Sequence, residues 1–326
     1  MGISVVIPVH NSEKFLDSCI ESILTQDVTD IEIILVENGS SDQSVELCKK
    51  YTEKYTFVKM TDIGPAGVSA ARNEGMKLAT KEWVTFVDSD DYLLPRTFDV
   101  LKEPGAENYE VIITGYCREQ PVEQKPMSIR TVDSSLLQKS VLQYAKYEEE
   151  LKEFPAIDCI SIWTCWAKFY KSRLLRDNKI EFPCGVKTGE DAAFCFQVFS
   201  VAKKVGASEA ITYYYKWTEG SAAERRSDGI YENNMKLIDF FEGYRKRYMS
   251  DDFPESEYSS YVAGRLIEIV LATEKNVWKR FLKSRRVREN IEKASFSKLI
   301  YGKRNMIHYS KVLSLLKIQC KRYMFR

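Results

Sequence analysis

The sequence has 326 residues, of which 44% are hydrophobic and 29% are charged. These values are ordinary for a globular protein, and they exclude a chain that is disordered along most of its length. Residues 275–326 hold 16 of the 48 Lys and Arg residues but 2 of the 47 acids, so the rest of the chain carries a net charge of −13. A mildly acidic body with a strongly basic tail predicts an anionic partner for the tail.

The cysteines and the apolar runs bear on the cellular location. The eight cysteines show no CxxC pair and no zinc-ligand spacing, and Cys19 and Cys195 lie within apolar helical patterns. We therefore expect reduced thiols in a cytoplasmic protein. The chain starts with an apolar strand pattern and shows no signal-peptide pattern. No apolar run approaches the ~18 residues that span a bilayer.

Apolar runs separated by helical patterns predict four buried strands in the first hundred residues. This alternation with short loops predicts an α/β fold with a mostly parallel sheet and helices on both faces. The predicted strands are residues 2–9, 31–36, 57–60 and 83–87.

The second part of the chain is less regular. A helix is predicted from Pro95 to about Glu103, and helical patterns alone are found from Ile230 onward. Between these points the patterns predict a strand at 109–116, an irregular connection at 117–132, helices at 133–154, an aromatic-rich segment at 160–178, a helix at 192–202, a strand at 211–217 and a loop at 218–228.

Polar residues follow three of the predicted strands at their carboxyl ends. His10 follows the first strand, the pair Glu37 and Asn38 follows the second, and Asp88 follows the fourth. The carboxyl ends of parallel strands meet at one edge of the sheet, where ligands bind in open α/β folds. Because three such clusters occur together, a shared ligand site is a better explanation than chance.

The segment Asp88-Ser89-Asp90-Asp91 places three carboxylates within four residues. Close carboxylates repel one another unless a cation neutralises them, and hard oxygen ligands suit Mg²⁺ or Mn²⁺. Taken alone, the same pattern also fits a solvated acidic turn that caps the following helix.

Four segments, taken in order, resemble the motifs of family 2 glycosyltransferases. The resemblance covers roughly residues 1–220 and implies the GT-A fold and a nucleotide-diphosphate sugar as donor. It divides the chain into a catalytic domain, 1–220, and a helical, basic C-terminal region, 221–326. Within the catalytic domain, 1–100 is the nucleotide-sugar half and 101–220 is the acceptor half. The four segments are residues 4–11, 36–42, 67–75 and 88–91, and Gly189-Glu190-Asp191 resembles a fifth motif.

The resemblance implies roles for residues of the first half. A nucleotide base stacks on His10, and an oxygen of Glu37 or Asn38 accepts the N3–H of uracil, which favours a UDP-sugar. Asn38 departs from the acids that the family usually has there. Asn73 is expected to be a structural hydrogen-bonding residue. The full set of implied nucleotide-sugar contacts is Pro8, His10, Glu37, Asn38, Arg72, Asp88 and Ser89.

Simpler interpretations of these residues stay open. His10 also fits a turn or cap residue, and Glu37-Asn38 also fits an Asx-turn that starts the next helix. The cation of Arg72 also fits a surface ion pair.

The resemblance also assigns the metal and the base. Asp90 would ligate a divalent metal, Mn²⁺ or Mg²⁺, while Asp91 would orient its neighbours or cap a helix. Asp191 would take the proton of the acceptor hydroxyl in an inverting transfer, supported by Glu190. Two acids also simply favour a helix N-terminus, which is the alternative for this pair.

Two further contacts are expected on weaker grounds. Ser221, with a basic residue such as Lys216, is expected to approach the diphosphate, although a solvated loop fits equally well. Trp166 is expected either to form a platform for a sugar acceptor or to pack in the core.

The basic tail, 275–326, combines Lys and Arg with apolar residues, which suits a helix lying on an anionic membrane surface. The alternative is a helical appendage that packs on the catalytic domain or on a second subunit of a homo-oligomer. No nucleic-acid recognition module is present in the sequence.

The sequence thus predicts an inverting, metal-dependent transferase that moves a sugar from a UDP-sugar to a hydroxyl of a glycan or a lipid-linked glycan. We expect it to act in cell-surface polysaccharide synthesis, in the cytoplasm or at the inner face of the plasma membrane. Two alternatives remain: a sugar nucleotidyltransferase, and a catalytically degenerate nucleotide-binding scaffold. A nucleotidyltransferase would need a Gly-rich, basic loop after the first strand, and Pro8-Val9-His10-Asn11-Ser12 does not supply one.

Overall fold

The computed structural model describes residues 1–118, 125–143, 148–152, 160–216, 229–248 and 253–272, together with Arg288 and Ile291. The strands in these ranges are β1 (Ile3–Val9), β2 (Ile31–Glu37), β3 (Val58–Asp62), β4 (Trp83–Phe86), β5 (Tyr92–Leu93), β6 (Val111–Cys117), β7 (Ile129–Val132), β8 (Lys168–Lys171) and β9 (Val205–Tyr214). The helices are α1 (Leu16–Leu24), α2 (Ser44–Lys54), α3 (Val68–Leu78), α4 (Ser134–Gln143), α5 (Glu148–Leu151), α6 (Ser172–Asp177), α7 (Glu190–Val201), α8 (Ile230–Tyr248) and α9 (Glu255–Ala272).

The described strands form one sheet in the order β3-β2-β1-β4-β8-β6-β9-β5, and β7 pairs with β9 beside this path. Strands β1 to β4 are parallel to one another, while β8 runs antiparallel to its neighbours β4 and β6. Strands β6 and β9 are again parallel. The prediction of a mostly parallel sheet is therefore confirmed, and the reversed strand β8 joins its two halves.

Both faces of the sheet are buried. Along β1, Val6 belongs to one apolar cluster, whereas Val5 and Ile7 belong to the other. Helices α1 and α2 cover the second face through residues such as Cys19 and Tyr51, and α3 and α7 cover the first. The continuous apolar sequence of β1 follows from this arrangement, because successive side chains point to opposite, equally buried faces.

Helix α3 approaches β1 closely enough that one position requires glycine. A Cβ added at Gly75 would lie 2.2 Å from Cγ1 of Val6. This close contact holds α3, which carries Arg72, against the central strands.

Three predictions for the second part of the chain were wrong. The segment after Pro95 forms a 3₁₀ helix, Thr97–Lys102. Strand β7 lies within the connection that was predicted to be irregular, and β9 starts at Val205 rather than at Ile211. Residues 205–210 include Gly, Ser, Glu and Ala, which are poor strand formers, but β6 and β7 pair with them on either side.

Helix α8 packs between α7 and α9 through an aromatic cluster, and Phe241 in α8 contacts Tyr261 in α9 with ring centroids 5.3 Å apart. The ring centroid of Phe196 in α7 lies 5.2 Å from that of Phe241 in α8 and 5.9 Å from that of Phe253. The helical C-terminal region predicted from 230 onward is confirmed as far as residue 272. None of the helices that the structure describes is long and apolar enough to cross a membrane.

Candidate active site

The carboxyl ends of β1, β2 and β4 meet at one edge of the sheet, as predicted. The Nδ1 of His10, which follows β1, lies 2.9 Å from the carbonyl oxygen of Asn38, which follows β2. The Oγ atoms of Ser12 and Ser89 lie 2.6 Å apart and join the β1 loop to the loop after β4. The polar clusters seen in the sequence therefore form one continuous surface.

The ring of His10 is exposed but held in one orientation. Because a carbonyl oxygen only accepts, Nδ1 must carry the proton that it donates to Asn38. The side-chain amide of Asn11 lies 3.3 Å from Nε2, which can accept its hydrogen bond. Both ring nitrogens are thus engaged at the edge of the ring, and the exposed ring offers a flat face to a ligand.

Glu37 and Asn38 are both buried and bind neighbouring backbone. The Glu37 carboxylate accepts N–H bonds from Gly39 at 3.0 Å and Ser40 at 2.5 Å. Burial acts to raise the pKa of Glu37, but the bonds from Ser40 and Gly39 outweigh it and hold the pKa below its usual value. The Oδ1 of Asn38 accepts the N–H groups of Ala66 and Gly67, each at 2.8 Å. Both side chains thus shape the loop walls, and their contact with uracil stays a prediction.

Pro8 lies buried in β1 opposite Val36. The pairing of β1 with β4 ends at Val6 and Phe86, so Pro8 lies beyond the last β4 partner. A proline is tolerated there because no ladder bond to β4 is lost.

Arg72 on α3 connects the loop after β4 to the start of α7. Its Nη2 donates to Oδ1 of Asp88 at 2.7 Å, and its Nη1 donates to Oδ1 of Asp191 at 2.6 Å. A longer contact of 3.4 Å joins Nη1 to Oε1 of Glu190. Arg72 is 3% exposed, so the alternative of a surface ion pair is wrong. Its guanidinium carbon also lies 5.3 Å from the ring centroid of Phe182.

The two acids at the start of α7 have raised pKa values. Burial, followed by the charge of Asp191, raises the pKa of Glu190 to about 7 despite the opposing effect of Arg72. Burial also raises the pKa of Asp191, and the guanidinium of Arg72 opposes this. A carboxylate whose pKa is raised toward neutrality is a better proton acceptor than an exposed one, as a general base requires.

Asp91 is buried among groups that hold its position. Its Oδ2 accepts the Tyr213 hydroxyl proton at 2.6 Å, and its Oδ1 accepts the backbone N–H of Lys216 at 2.8 Å. The Tyr213 hydroxyl also accepts the N–H of Asp88 at 3.1 Å. Burial, then the charge of Asp88, raises the pKa of Asp91 to about 8. Asp91 therefore orients the loop after β4, in agreement with the structural role expected for it.

The carboxylates at 88 and 90 suit a divalent cation by their chemistry, whereas both oxygens of Asp91 already accept hydrogen bonds. Asp88 and Asp90 both act on Asp91 strongly enough to raise its pKa, which is the mutual repulsion that a cation would relieve. No group of three or more His, Cys, Asp or Glu side chains within the described ranges forms a complete metal cage. Mg²⁺-type sites commonly use one or two carboxylates together with substrate phosphates, so the arrangement fits a cation shared with a ligand.

Trp166 lies in an aromatic stack and is 5% exposed. Its ring is parallel to that of Tyr213, with centroids 4.7 Å apart, and it lies edge-on to Tyr116 at 5.0 Å. This is the core-packing alternative for Trp166. Ser221, the other expected contact, lies outside the described residues.

Several residues of the site were not found by sequence reasoning. Tyr213 binds the aspartate loop, and the backbone N–H of Cys165 donates to Oδ2 of Asp191 at 3.2 Å. Neither has a sequence signal, because each lies far along the chain from its partner. Asn73 is the structural residue that was predicted: its amide donates to the carbonyl of Phe182 at 2.9 Å and accepts the N–H of the same residue at 2.8 Å.

Comparison with known proteins agrees with this geometry. The family model described as Glycosyl transferase family 2 matches residues 4–173. The chain is 30% identical over 222 residues to EpsJ of Bacillus subtilis, described as an uncharacterized glycosyltransferase, covering 68% of this chain and 63% of that protein. It is 33% identical over 224 residues to a poly(ribitol-phosphate) beta-glucosyltransferase of Bacillus spizizenii, covering 66% of this chain and 32% of the relative. The chain thus spans less than two thirds of each of these relatives.

The fold is also found among solved structures. The structure of Staphylococcus aureus TarS 1–349 in complex with UDP-GlcNAc superposes with a TM-score of 0.67 at 21% identity, covering 99% of this chain and 92% of the other. The expected GT-A fold is therefore confirmed.

Proposed function

The chain belongs to glycosyl transferase family 2, and we propose that it is an inverting, metal-dependent glycosyltransferase that uses a UDP-sugar. The acceptor is a hydroxyl of a glycan or a lipid-linked glycan in cell-surface polysaccharide synthesis. The observation that carries the proposal is the Arg72 bridge, since one buried guanidinium contacts both Asp88 and Asp191. It joins the loop expected at the leaving group to the carboxylate expected at the acceptor.

The donor would bind across the edge formed by β1, β2 and β4. The exposed ring of His10 would stack on the base, and Asp88 follows β4, the strand that pairs with β1 at the same edge. Support for UDP comes from TarS, which shares the fold and was solved with UDP-GlcNAc and with UDP. The names of the relatives support a surface polymer as acceptor.

The transfer needs a base, and Asp191 fits this role. Its carboxylate would take the proton of the acceptor hydroxyl while the hydroxyl oxygen attacks the anomeric carbon of the sugar. The bond from that carbon to the diphosphate oxygen breaks, and UDP leaves with the bonding electrons. Attack from the side opposite UDP inverts the anomeric configuration. Glu190, beside Asp191, would support the base or contact the acceptor.

Asp90 is the residue proposed to hold the divalent cation, with Asp88 next to it. When bound, such a cation supplies charge neutralisation at the diphosphate leaving group. The chain itself contributes the Arg72–Asp88 pair and the Tyr213–Asp91 bond, which keep this loop in place.

A donor panel with substitutions tests the proposal. We would incubate the chain with several UDP-sugars and Mn²⁺, with and without EDTA, and measure UDP release and transfer to an added glycan. Asp90→Ala is expected to lose its Mn²⁺ dependence and most of its activity. Asp191→Asn is expected to lose about 10²–10⁴-fold in kcat. Asp177→Asn is the control, because Asp177 is an exposed acid of α6.

The same experiment separates the alternatives. Full transfer by Asp191→Asn would refute the role of the base, and unchanged turnover by Asp90→Ala would refute that of the metal ligand. UDP binding without turnover across the panel would favour a degenerate scaffold. Release of pyrophosphate from UTP and a sugar phosphate would favour a nucleotidyltransferase.

The basic tail, 275–326, is proposed to contact an anionic membrane surface. Apart from Arg288 and Ile291, it lies outside the described residues, and the support is its charge and apolar content. Ile291 is buried in the core cluster of the first sheet face, which supports the packing alternative at that position. Binding to anionic liposomes that persists after deletion of 275–326 would refute the membrane contact.

A further inference from the structure

Strand β8 carries a buried lysine at each end. Lys168 is 1% exposed and Lys171 is 5% exposed. Burial of an ammonium group is costly unless partners replace the lost water. Lys171 meets the carboxylate of Glu82, and its Nζ lies 4.1 Å from the ring centroid of Trp83. Lys168 instead donates to backbone carbonyls. The water lost on burial is thus replaced by a carboxylate and an aromatic ring at Lys171 but by backbone oxygens at Lys168.

The carbonyls around Lys168 belong to one irregular segment, residues 161–167. The Nζ of Lys168 donates to the carbonyl oxygens of Ser161 at 2.5 Å, Thr164 at 2.7 Å and Trp166 at 3.5 Å. These three contacts match the three protons of an ammonium group. The ammonium therefore occupies the centre of a turn whose carbonyls point inward.

Other bonds hold the same segment from the outside. The carbonyl of Cys165 accepts the Tyr170 hydroxyl at 2.9 Å, and that of Ala167 accepts the Thr114 hydroxyl at 3.0 Å. Ala167 has a φ of 53°, a left-handed conformation that costs about 1–3 kcal/mol for a non-glycine residue. The segment keeps this strained conformation because the surrounding bonds determine it.

The segment contacts both parts of the proposed active site. The N–H of Cys165 donates to Oδ2 of Asp191 at 3.2 Å, while Arg72 binds the other oxygen of that carboxylate. The ring of Trp166 stacks on Tyr213, whose hydroxyl binds Asp91. Displacement of the segment would therefore release one oxygen of Asp191.

We propose that Lys168 is a positioning residue for the transfer reaction. Its ammonium binds the inward carbonyls of segment 161–167 and so aims the N–H of Cys165 at Asp191. This role rests on the proposed function, since it concerns the orientation of the base. The two shorter bonds of Lys168, to Ser161 and Thr164, lie on the Cys165 side of the segment, whereas its contact with Trp166 is the longest at 3.5 Å. We therefore expect the main effect on turnover rather than on nucleotide binding.

The test compares Lys168→Met and Lys168→Gln with Lys171→Met. The three variants remove a buried ammonium from the same strand, but Lys171 lies at the end away from segment 161–167. We would measure kcat, the donor KM, the dissociation constant of UDP and the urea midpoint of each. Lys168→Met is expected to lose about 10–100-fold in kcat, with the UDP dissociation constant within about twofold of wild type, the spread of an unaffected site.

Lys168→Gln keeps two N–H donors, and its kcat is expected between those of Lys168→Met and wild type. Lys171→Met is expected to lose stability but to keep kcat. Wild-type kcat in either Lys168 variant, or an equal loss of kcat in Lys171→Met, overturns the positioning role. If Lys168→Met does not fold, the kcat of Lys168→Gln tests the positioning role instead. A wild-type chain that transfers no sugar refutes the proposed function, whereas wild-type transfer with unchanged Lys168 variants refutes this inference alone.

Discussion

The guanidinium of Arg72 and the carboxylate of Asp191 are 119 residues apart in sequence, yet Nη1 and Oδ1 lie 2.6 Å apart. Arg72 belongs to α3, next to the central strands, and Asp191 belongs to the first turn of α7. This bond joins the half of the fold with the expected nucleotide site to the half that carries the expected base. It gives Arg72 a role in holding the two carboxylates, while its contact with the nucleotide stays a prediction.

Removal of the guanidinium is expected to destabilise the fold. Arg72→Met leaves Asp88 and Asp191 without their common partner, so we expect the free energy of unfolding to fall by about 3 kcal/mol. Arg72→Lys keeps a positive charge and should recover part of the lost stability. The recovery should be incomplete, because one ammonium cannot bind both carboxylates as the planar guanidinium does. Urea unfolding measures the change. Lys77→Met is the control on the same helix, since Lys77 forms an exposed pair with Glu74, and a loss as large in that variant would contradict the bridge.

Glu190 predicts a pH dependence of stability. Its folded pKa is about 7, above the value of 4.5 expected in the unfolded chain, so the folded state binds more protons between these pH values. The free energy of unfolding should therefore fall as the pH rises from about 4.5 to about 7. Glu190→Gln cannot lose a proton, so its fall over this range should be smaller. Unfolding midpoints at several pH values measure this.

The control for that experiment is Glu232→Gln, an exposed acid in the first turn of α8. This variant should follow the wild-type pH dependence. Parallel curves for wild type and Glu190→Gln would contradict the raised pKa of Glu190.

Substitutions of Asn38 distinguish its structural role in the loop from its expected role in binding uracil. Asn38→Ala removes the acceptor of two backbone N–H groups, those of Ala66 and Gly67, and should cost about 1 kcal/mol of stability. Asn38→Asp keeps an acceptor for both, so its stability should match wild type. Titration calorimetry then compares the UDP affinity of the two variants, and a loss in Asn38→Ala alone is expected if the side-chain oxygen at position 38 binds uracil. Tight UDP binding by Asn38→Ala would show that this oxygen is dispensable for the nucleotide.

Two helical glycines are expected to respond oppositely to alanine. At Gly75 a methyl group would collide with Val6, so Gly75→Ala should lower the free energy of unfolding by about 2 kcal/mol. At Gly243 in α8 the nearest atom to an added Cβ is the end of Arg247 at 4.0 Å. Gly243→Ala should therefore raise the free energy of unfolding by about 0.5–1 kcal/mol. Thermal unfolding of both variants tests how closely α3 packs on β1, and equal shifts would contradict it.

The first hundred residues were well predicted because their signals are local. Strands β1, β2 and β4 are apolar runs bounded by polar residues, and their boundaries differ from the predicted ones by a residue or so. The meeting of His10, Asn38 and Asp88 follows from parallel strand order, which short crossover connections impose. Helix α7 begins two residues before its predicted start at 192.

The second half was less predictable because its elements depend on distant partners. Strand β7 is a run of only four residues, Ile129–Val132, and it pairs with the start of β9. The start of β9 pairs with β6 as well, and its own composition, with Gly, Glu and Ala, does not favour a strand. The burial of Trp166, which precedes β8, depends on Tyr213, which lies on β9.

By itself, the sequence determined which residues are available for chemistry: the carboxylates at 88, 90, 190 and 191, the ring of His10 and the cation of Arg72. Apolar periodicity and strand ends are local properties, and they suffice to place His10 and Asp88 at one edge of a sheet. Only the tertiary structure decided which of them bind one another. The Arg72–Asp191 and Tyr213–Asp91 bonds each join residues more than a hundred positions apart, and such contacts depend on packing that no local pattern records.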